Sequence, residues 1–223
     1  MSTVHAEDLD PHRPHSIQVN GLGRASVAPD KADLTLSVEV QAKSAEAARD
    51  QAAAAMTALI KALKEDNVAD KDIQTSYVSL YPIYGQDGAN KISGYQLANR
   101  VTVVIHDVSK VSAIIDSAVK AGGNPVRVQG ISFGIDNPEA ALAQAREKAY
   151  ADARAKAEQY AKLAGVTLGR VMHIIEGGGI PPMPRPYAEM SAMRSAVGAA
   201  SPTPIQAGEQ EVSVTVEVVF GVE

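Results

Sequence analysis

The sequence DNPEAALAQAREKAYADARAKAEQYAKLAGV, from Asp136 to Val166, predicts the longest helix of the chain. Asn137 can accept hydrogen bonds from the first free N–H groups, and Pro138 suits the first helical position. Gly165 follows the last periodic residue, where a glycine in the left-handed conformation commonly ends a helix. Between these ends lies an apolar stripe of small side chains that lets the helix approach a sheet closely: Ala145, Ala149, Ala153, Ala157 and Ala161, flanked by Leu142, Tyr160 and Ala164.

A second long helix is predicted earlier in the chain, with Ser44 as its cap and its end near Asn67-Val68. The surrounding elements repeat in order. Strand 33–41, helix 44–66 and strands 72–84 and 92–105 match strand 126–135, helix 138–164 and strands 166–176 and 211–222. The sequence therefore predicts an α+β fold, in which an antiparallel-rich sheet carries two long helices. The internal β-α-β-β pseudo-repeat spans about 31–106 and 125–222, and one shorter helix begins after Asp107.

The domain organisation predicted from composition is a tail, one domain and a loop. Residues 1–15 are polar and are expected to form a disordered N-terminal tail, which is favoured over a metal-binding tract of its histidines. Residues 16–223 form the domain, with a flexible loop at 177–204. In the first strand, Ile17–Val27, the pair Gly21 and Gly23 indicates close backbone packing and not a dinucleotide site.

Composition excludes several classes of function. The net charge of the 223-residue chain is −5, and no basic stripe is present, which argues against nucleic-acid binding. Cysteine is absent, so disulfides and thiolate catalysis are excluded. No apolar run approaches the ~20 residues of a membrane span. The first residues contain no apolar h-region, so no signal peptide is visible in this chain.

No arrangement of side chains in the sequence indicates catalysis. The pair His106-Asp107 is interpreted as a helix cap, His173 as a packed or bonded strand residue, and Asn99 as a buried amide that needs a hydrogen-bond partner. There is no nucleophile elbow and no pair of carboxylates at catalytic spacing. We therefore expect no enzyme activity, no catalytic residues, no cofactor and no metal site.

The loop at 177–204 holds three of the six methionines and is longer than a connection between two strands requires. Four interpretations remain open: a disordered insertion, a subunit contact, a soft-metal site and a site of reversible Met oxidation. The first two are favoured equally. If the loop is a subunit contact, its candidate residues are Pro182, Met183, Pro184, Tyr187, Met190 and Met193.

The order of several short motifs resembles that of the SIMPL-domain family over about residues 16–222. The motifs are Val19–Ala25, Pro29–Ala32, Asp72–Thr75, Leu80–Pro82, Gly94-Tyr95 with Asn99, Gly130–Phe133, Ala149–Arg154 through Gly165-Val166, and Pro204-Ile205 before Gly208-Glu209. The resemblance implies a periplasmic protein with outer-membrane or envelope association. It also implies kinship with immunogenic antigens and with YggE-like proteins linked to oxidative-stress defence. Members form ring- or channel-like homo-oligomers, and their biochemical activity is undefined.

Two classes of function follow. The first is a non-enzymatic, self-assembling periplasmic protein of the envelope that is associated with oxidative-stress defence. The alternative is a binding module for a small ligand or a client protein. The mass of the native particle distinguishes them, because assembly gives a large closed particle and a binding module needs a ligand-sized apolar pocket.

Overall fold

A computed structural model describes residues 15–85, 91–177 and 204–223, and the backbone of 180–184. The chain divides into two compact units. The terminal unit takes its described residues from 15–27, 137–184 and 210–223, and the central unit takes its residues from 28–136 and 204–209. No helix within the described ranges is long and apolar enough to cross a membrane.

The central unit is a four-stranded antiparallel sheet with two helices packed on one face. Strands and helices are numbered along the whole chain. The elements of the central unit are β2 (Lys31–Ala42), α1 (Ala45–Glu65), β3 (Ile73–Tyr84), β4 (Ile92–Ile105), α2 (Val111–Gly122) and β5 (Val126–Gly134). The strand order is β3-β4-β2-β5. Large side chains of α1, including Met56, Leu59 and Leu63, pack with the buried face of β2.

The terminal unit is a smaller antiparallel sheet under one long helix. Its elements are β1 (Ser16–Val27), α3 (Glu139–Ala164), β6 (Leu168–Glu176), β7 (Ile180–Pro184) and β8 (Gln210–Val222). The strand order is β1-β8-β6, and β7 pairs with the beginning of β8. The side chains that α3 buries are all alanines, Ala141, Ala145, Ala149, Ala153, Ala157 and Ala161.

The contact of α3 with β1 is a direct approach of two backbones. A Cβ atom on Gly21 would collide with the carbonyl oxygen of Ala149 and lie 2.7 Å from the Ala153 Cβ. A Cβ atom on Gly23 would collide with the carbonyl oxygen of Ala145. The close packing predicted for these glycines is confirmed, because neither position has room for a side chain.

The local predictions for the helix ends are also confirmed. The Ser44 hydroxyl accepts from the Ala47 N–H at 3.2 Å, and the Asn137 side chain accepts from the Glu139 N–H at 3.1 Å. Gly165 ends α3 in the left-handed conformation, with φ of 71°. The stripe on α3 is narrower than predicted, since Tyr160 and Ala164 are exposed.

The α+β class is confirmed, but the expected single sheet is replaced by two sheets. The helices α1 and α3 lie on different sheets, and β5 pairs with β2 of the central unit. The place that the repeat assigned to strand 126–135 is taken by β1, so the spatial β-α-β-β groups are β2-α1-β3-β4 and β1-α3-β6-β8. The physical reason is that Ile131 and Phe133 of β5 pack on the central core, whereas the glycines of β1 admit α3.

Two further expectations concern residues at the margins of the described structure. The expected loop at 177–204 contains a strand, because Ile180–Pro184 pairs with β8. Its remaining part from 185 to 203, and the expected tail at residues 1–14, lie outside the described residues.

Candidate functional site

Five strands lie at the edges of the two sheets. In the terminal unit these are β1 on one side of β8, and β6 and β7 on the other side, where they pair with successive parts of β8. In the central unit they are β3 and β5. An edge strand carries backbone N–H and C=O groups that can pair with another chain, and proteins commonly cover or distort such edges. These edges differ in how far they are protected.

The edge of β1 is occupied by side chains from α3. The Lys156 and Lys148 ammonium groups donate to the carbonyl oxygens of Asn20 and Arg24, each at 2.9 Å. Between them, the Asp152 carboxylate accepts from the N–H of Leu22 at 2.9 Å. The hydrogen bond from Lys156, and then that from Leu22, lowers the pKa of Asp152. Three residues spaced by one helical turn thus bond the outer backbone of this strand.

The edge of β5 is distorted by a bulge. The register of β5 against β2 shifts between Thr35 and Leu36, opposite Gln129. The Gln129 amide reaches back over β2 and donates to the Ser37 hydroxyl at 2.8 Å and the Glu39 carboxylate at 3.0 Å. A bulged strand is a poor template for further pairing.

The edge of β3 is regular between two register shifts, which lie at Thr75/Tyr77 and at Ile83/Tyr84. Its residues from Tyr77 to Ile83 pair with β4 without a register shift, and β3 pairs with no other strand of the described chain. Helix α1 packs mainly on β2 and β4. On the helix side of β3, Val78 and Leu80 are therefore 60% and 43% exposed.

Asn99 lies beside this exposed strip, opposite Val78 in the β3–β4 pairing. Its side-chain oxygen is buried and accepts no hydrogen bond from the described residues. The expectation of a bonded amide is therefore not met for this oxygen. A buried acceptor without a donor costs about 1–3 kcal/mol, so the position favours a donor supplied from elsewhere.

In the terminal unit, β6 is the edge strand that the helix leaves largely uncovered, as β3 is in the central unit. Helix α3 packs mainly on β1 and β8, and it leaves Met172, Ile174 and Ile175 exposed. His173 is also exposed and has no hydrogen bond to the described residues, so the prediction of a packed or bonded histidine is wrong. The reason is that the helix above this sheet is offset toward the opposite edge.

The other face of β3 carries two neighbouring tyrosines. The hydroxyls of Tyr77 and Tyr81 lie 3.4 Å apart, and the Arg100 guanidinium is 5.5 Å from the Tyr77 ring centre. Hydrogen bonds from Ser79 and Tyr81 lower the pKa of Tyr77, and the bond to Tyr77 raises the pKa of Tyr81. Both pKa shifts are expected if the Tyr81 hydroxyl donates the hydrogen bond and the Tyr77 hydroxyl accepts it. This pair was not predicted from the sequence.

His106 lies between two carboxylates of the central unit. Its Nε2 is 3.4 Å from Asp72, and its Nδ1 is 3.4 Å from Asp136. The carboxylates contact opposite nitrogens of the ring, so they do not converge on one ion. The described residues hold no group of three or more His, Cys, Asp or Glu side chains arranged for a metal. Asp107 accepts from the Ser109 N–H at 3.1 Å, which confirms it as a cap.

An open, apolar groove of about 480 Å³ lies between α2 and β5. Its volume is in the range of small-ligand sites. The groove carries one charged side chain of each sign, and its lining consists of Ile115, Asp116, Val119, Lys120, Val128, Ile131 and Ile205.

The structure places only part of the predicted contact loop. The backbone of Pro182, Met183 and Pro184 belongs to β7, where Met183 pairs with Glu211 and Pro184 with Gln210. Tyr187, Met190 and Met193 lie outside the described residues. A role of these six residues in subunit contact stays a prediction.

Comparison with known proteins gives one family and several relatives. The profile of the family SIMPL, described as a protein of unknown function (DUF541), matches residues 17–220. The chain is 38% identical over 221 residues to the 26 kDa periplasmic immunogenic proteins of Brucella melitensis and Brucella abortus, covering 95% of this chain and 86% of each relative. It is 32% identical over 165 residues to the uncharacterized protein YggE of Escherichia coli K12, covering 74% of this chain and 66% of YggE.

Proposed function

Because this chain belongs to the SIMPL family, we propose that it is a non-enzymatic periplasmic protein that assembles with copies of itself and takes part in envelope defence against oxidative stress. The periplasmic localisation that the resemblance implied agrees with the names of the Brucella relatives, which this chain matches over nearly its whole length. The activity itself is undefined in these relatives.

The observation that carries self-assembly is the uncovered β3 edge. Seven consecutive residues, Tyr77 to Ile83, keep a regular register on one side and have no strand on the other within the described chain. Exposed Val78 and Leu80 add apolar area beside the free backbone groups. Strand addition at such an edge satisfies the backbone and buries these side chains in one contact.

The β6 edge supplies a second surface of the same kind. Its exposed Met172, Ile174 and Ile175 do not lie on the same strand as Val78, so the two surfaces differ in sequence. Contact between two different surfaces joins the copies head to tail. The copies form a ring when the repeated rotation between neighbours leads back to the first copy. A ring- or channel-like homo-oligomer is therefore the form of assembly that we propose.

The test of assembly is the native mass of the purified protein, measured by light scattering at micromolar concentration. The double variant Val78→Lys and Leu80→Lys is expected to lower the mass of the particle, because two charges on the edge oppose strand addition. Leu163→Lys is the matched control, since Leu163 is exposed on α3 and not on an edge strand. A wild type that is monomeric would refute assembly, and an unchanged particle in the double variant would refute the β3 contact.

The contribution of the loop is tested separately. Residues 186–203 are replaced by a short Gly-Ser linker, which leaves β7 and its pairing with β8 in place. If Tyr187, Met190 and Met193 contribute to the contact, the particle becomes smaller. A particle of unchanged mass would assign the contact to the strands alone.

The association with oxidative-stress defence is supported only by the family resemblance. Its test compares the survival of bacteria with and without the gene for this protein during exposure to hydrogen peroxide. We expect lower survival without the gene, restored by the wild-type gene. Equal survival would remove this part of the proposal and leave assembly unaffected.

The second candidate function, small-ligand binding, is favoured by the groove between α2 and β5. Its lining is apolar apart from Asp116 and Lys120, as expected for a site that takes an apolar ligand. The probe is anilinonaphthalene sulfonate, whose fluorescence rises in apolar sites. Val128→Lys should abolish saturable probe binding, whereas Leu163→Lys should preserve it. Equal binding by both variants would contradict a site in this groove.

A further inference from the structure

The proposed assembly uses the backbone of Tyr77 and Tyr81 on β3, whereas their side chains form a site with its own chemistry. Tyr77 and Tyr81 are two pleats apart on one face of the strand, and Ser79 lies between them. Their hydroxyl oxygens are 3.4 Å apart, although both side chains are 43% or more exposed. Strand addition at the β3 edge occurs in the plane of the sheet, so it leaves this face open.

We propose that Tyr77 and Tyr81 form an oxidative modification site, at which a one-electron oxidant joins the two phenol rings of one chain into a biphenol. The new bond forms between ring carbons adjacent to the hydroxyl-bearing carbons. In such a biphenol the two hydroxyls are neighbours, as they already are in this structure. Both rings belong to one chain, so no second chain has to be encountered.

The reaction balances when a peroxidase and hydrogen peroxide supply the oxidant. Each phenol gives up one electron and one proton. One peroxide molecule accepts the two electrons and the two protons and becomes two molecules of water. The two phenoxyl radicals combine through their ortho carbons. The hydrogens on these carbons then move to the oxygens and restore both hydroxyls, so the chain loses two hydrogen atoms in total.

The surroundings of Tyr77 support its role as the first phenol to react. Ser79 and then Tyr81 hydrogen-bond to Tyr77 and lower its pKa, and the Arg100 guanidinium near its ring lowers the pKa further. A phenolate loses an electron more readily than a phenol. Tyr160 provides the contrast, because it is 58% exposed but lies on helix α3 and not on β3.

The experiment oxidises the full-length protein with peroxidase and hydrogen peroxide at low protein concentration. We expect biphenol fluorescence, an intact mass lower by two hydrogen atoms, and a cross-linked peptide that contains Tyr77 and Tyr81. Tyr77→Phe and Tyr81→Phe should each abolish all three signals, whereas Tyr160→Phe should preserve them.

Three results would overturn the proposal. They are covalent dimers as the main product, a cross-linked peptide that joins other tyrosines, and an undiminished yield in Tyr81→Phe. Circular dichroism of each variant checks that the sheet is retained, and the exposed positions of both rings make a loss of folding on Tyr→Phe substitution unexpected. The result is independent of the oligomeric state and of the survival experiment.

Discussion

The two units place a helix on a sheet in opposite ways. In the central unit, α1 inserts large side chains such as Met56, Leu59 and Leu63 into the core. In the terminal unit, α3 buries only alanines, and β1 presents Gly21 and Gly23 to the helix backbone. Large side chains stabilise the first contact by filling the space between helix and sheet. The second contact depends on small residues, because they let the two backbones approach closely. The two β-α-β-β groups are therefore expected to tolerate opposite changes of side-chain size at the contact between helix and sheet.

The largest expected effect comes from removing volume beneath α1. Leu59 is fully buried, so Leu59→Ala should lower the free energy of unfolding by about 2–5 kcal/mol through lost burial and a residual cavity. Leu163→Ala removes the same atoms from an exposed position of α3 and should change stability by less than about 0.5 kcal/mol. Urea denaturation followed by circular dichroism measures both. Equal losses would contradict the contrast between the helices.

A smaller effect is expected from adding volume beneath α3. Gly21→Ala places a Cβ against the backbone of Ala149, and the forced shift should cost about 1–3 kcal/mol. Gly130→Ala is the matched control, because a Cβ at Gly130 meets no atom within 4 Å. The comparison of the two urea midpoints is the measurement. A stable Gly21→Ala variant would show that α3 can move away from β1 at little cost.

The smallest expected effect concerns the polar contacts that form because α3 lies close to β1. Asp152→Ala removes the acceptor for the Leu22 N–H and should cost less than about 1 kcal/mol, because the carboxylate is partly exposed. The folded-state pKa of Asp152 is lowered, so this stabilisation is present above the unfolded pKa of about 3.9 and is lost as the pH falls through the folded value.

The pH series provides the check on Asp152. The difference in unfolding free energy between wild type and Asp152→Ala should be largest near neutral pH and should shrink under acidic conditions. Glu158→Ala is the control, since Glu158 pairs with Arg154 on the same helix and does not contact β1. If Glu158→Ala shows the same dependence, the effect belongs to the charge of the helix and not to the contact with Leu22.

Features that depend on neighbours in the sequence were predictable. The caps at Ser44 and Asn137 and the end of α3 at Gly165 each follow from a few adjacent residues. The lack of space at Gly21 was also predictable, because two glycines on the inner face of a strand often mark the close approach of another backbone.

Strand pairing was less predictable, because it joins distant segments. Residues 126–135 precede α3 in the chain and were assigned to its sheet, yet β5 pairs with β2. Alternation shows that a strand has a buried face, but it does not identify the partner strand. The same limit applies to Tyr77 and Tyr81: their equal parity on β3 was readable, whereas the approach of their hydroxyls was not.

The pairing of β1 with β8 also sets an order of events during folding. Ser16 pairs with Gly221, so the first strand of the terminal unit has no partner until almost the whole described chain is available. The strands of the central unit pair over much shorter separations, and its sheet can form earlier. Until β8 is available, β1 is a glycine-containing strand of alternating polar and apolar residues without its sheet partner. This interval is the stage at which the chain is most exposed to aggregation or to a folding factor.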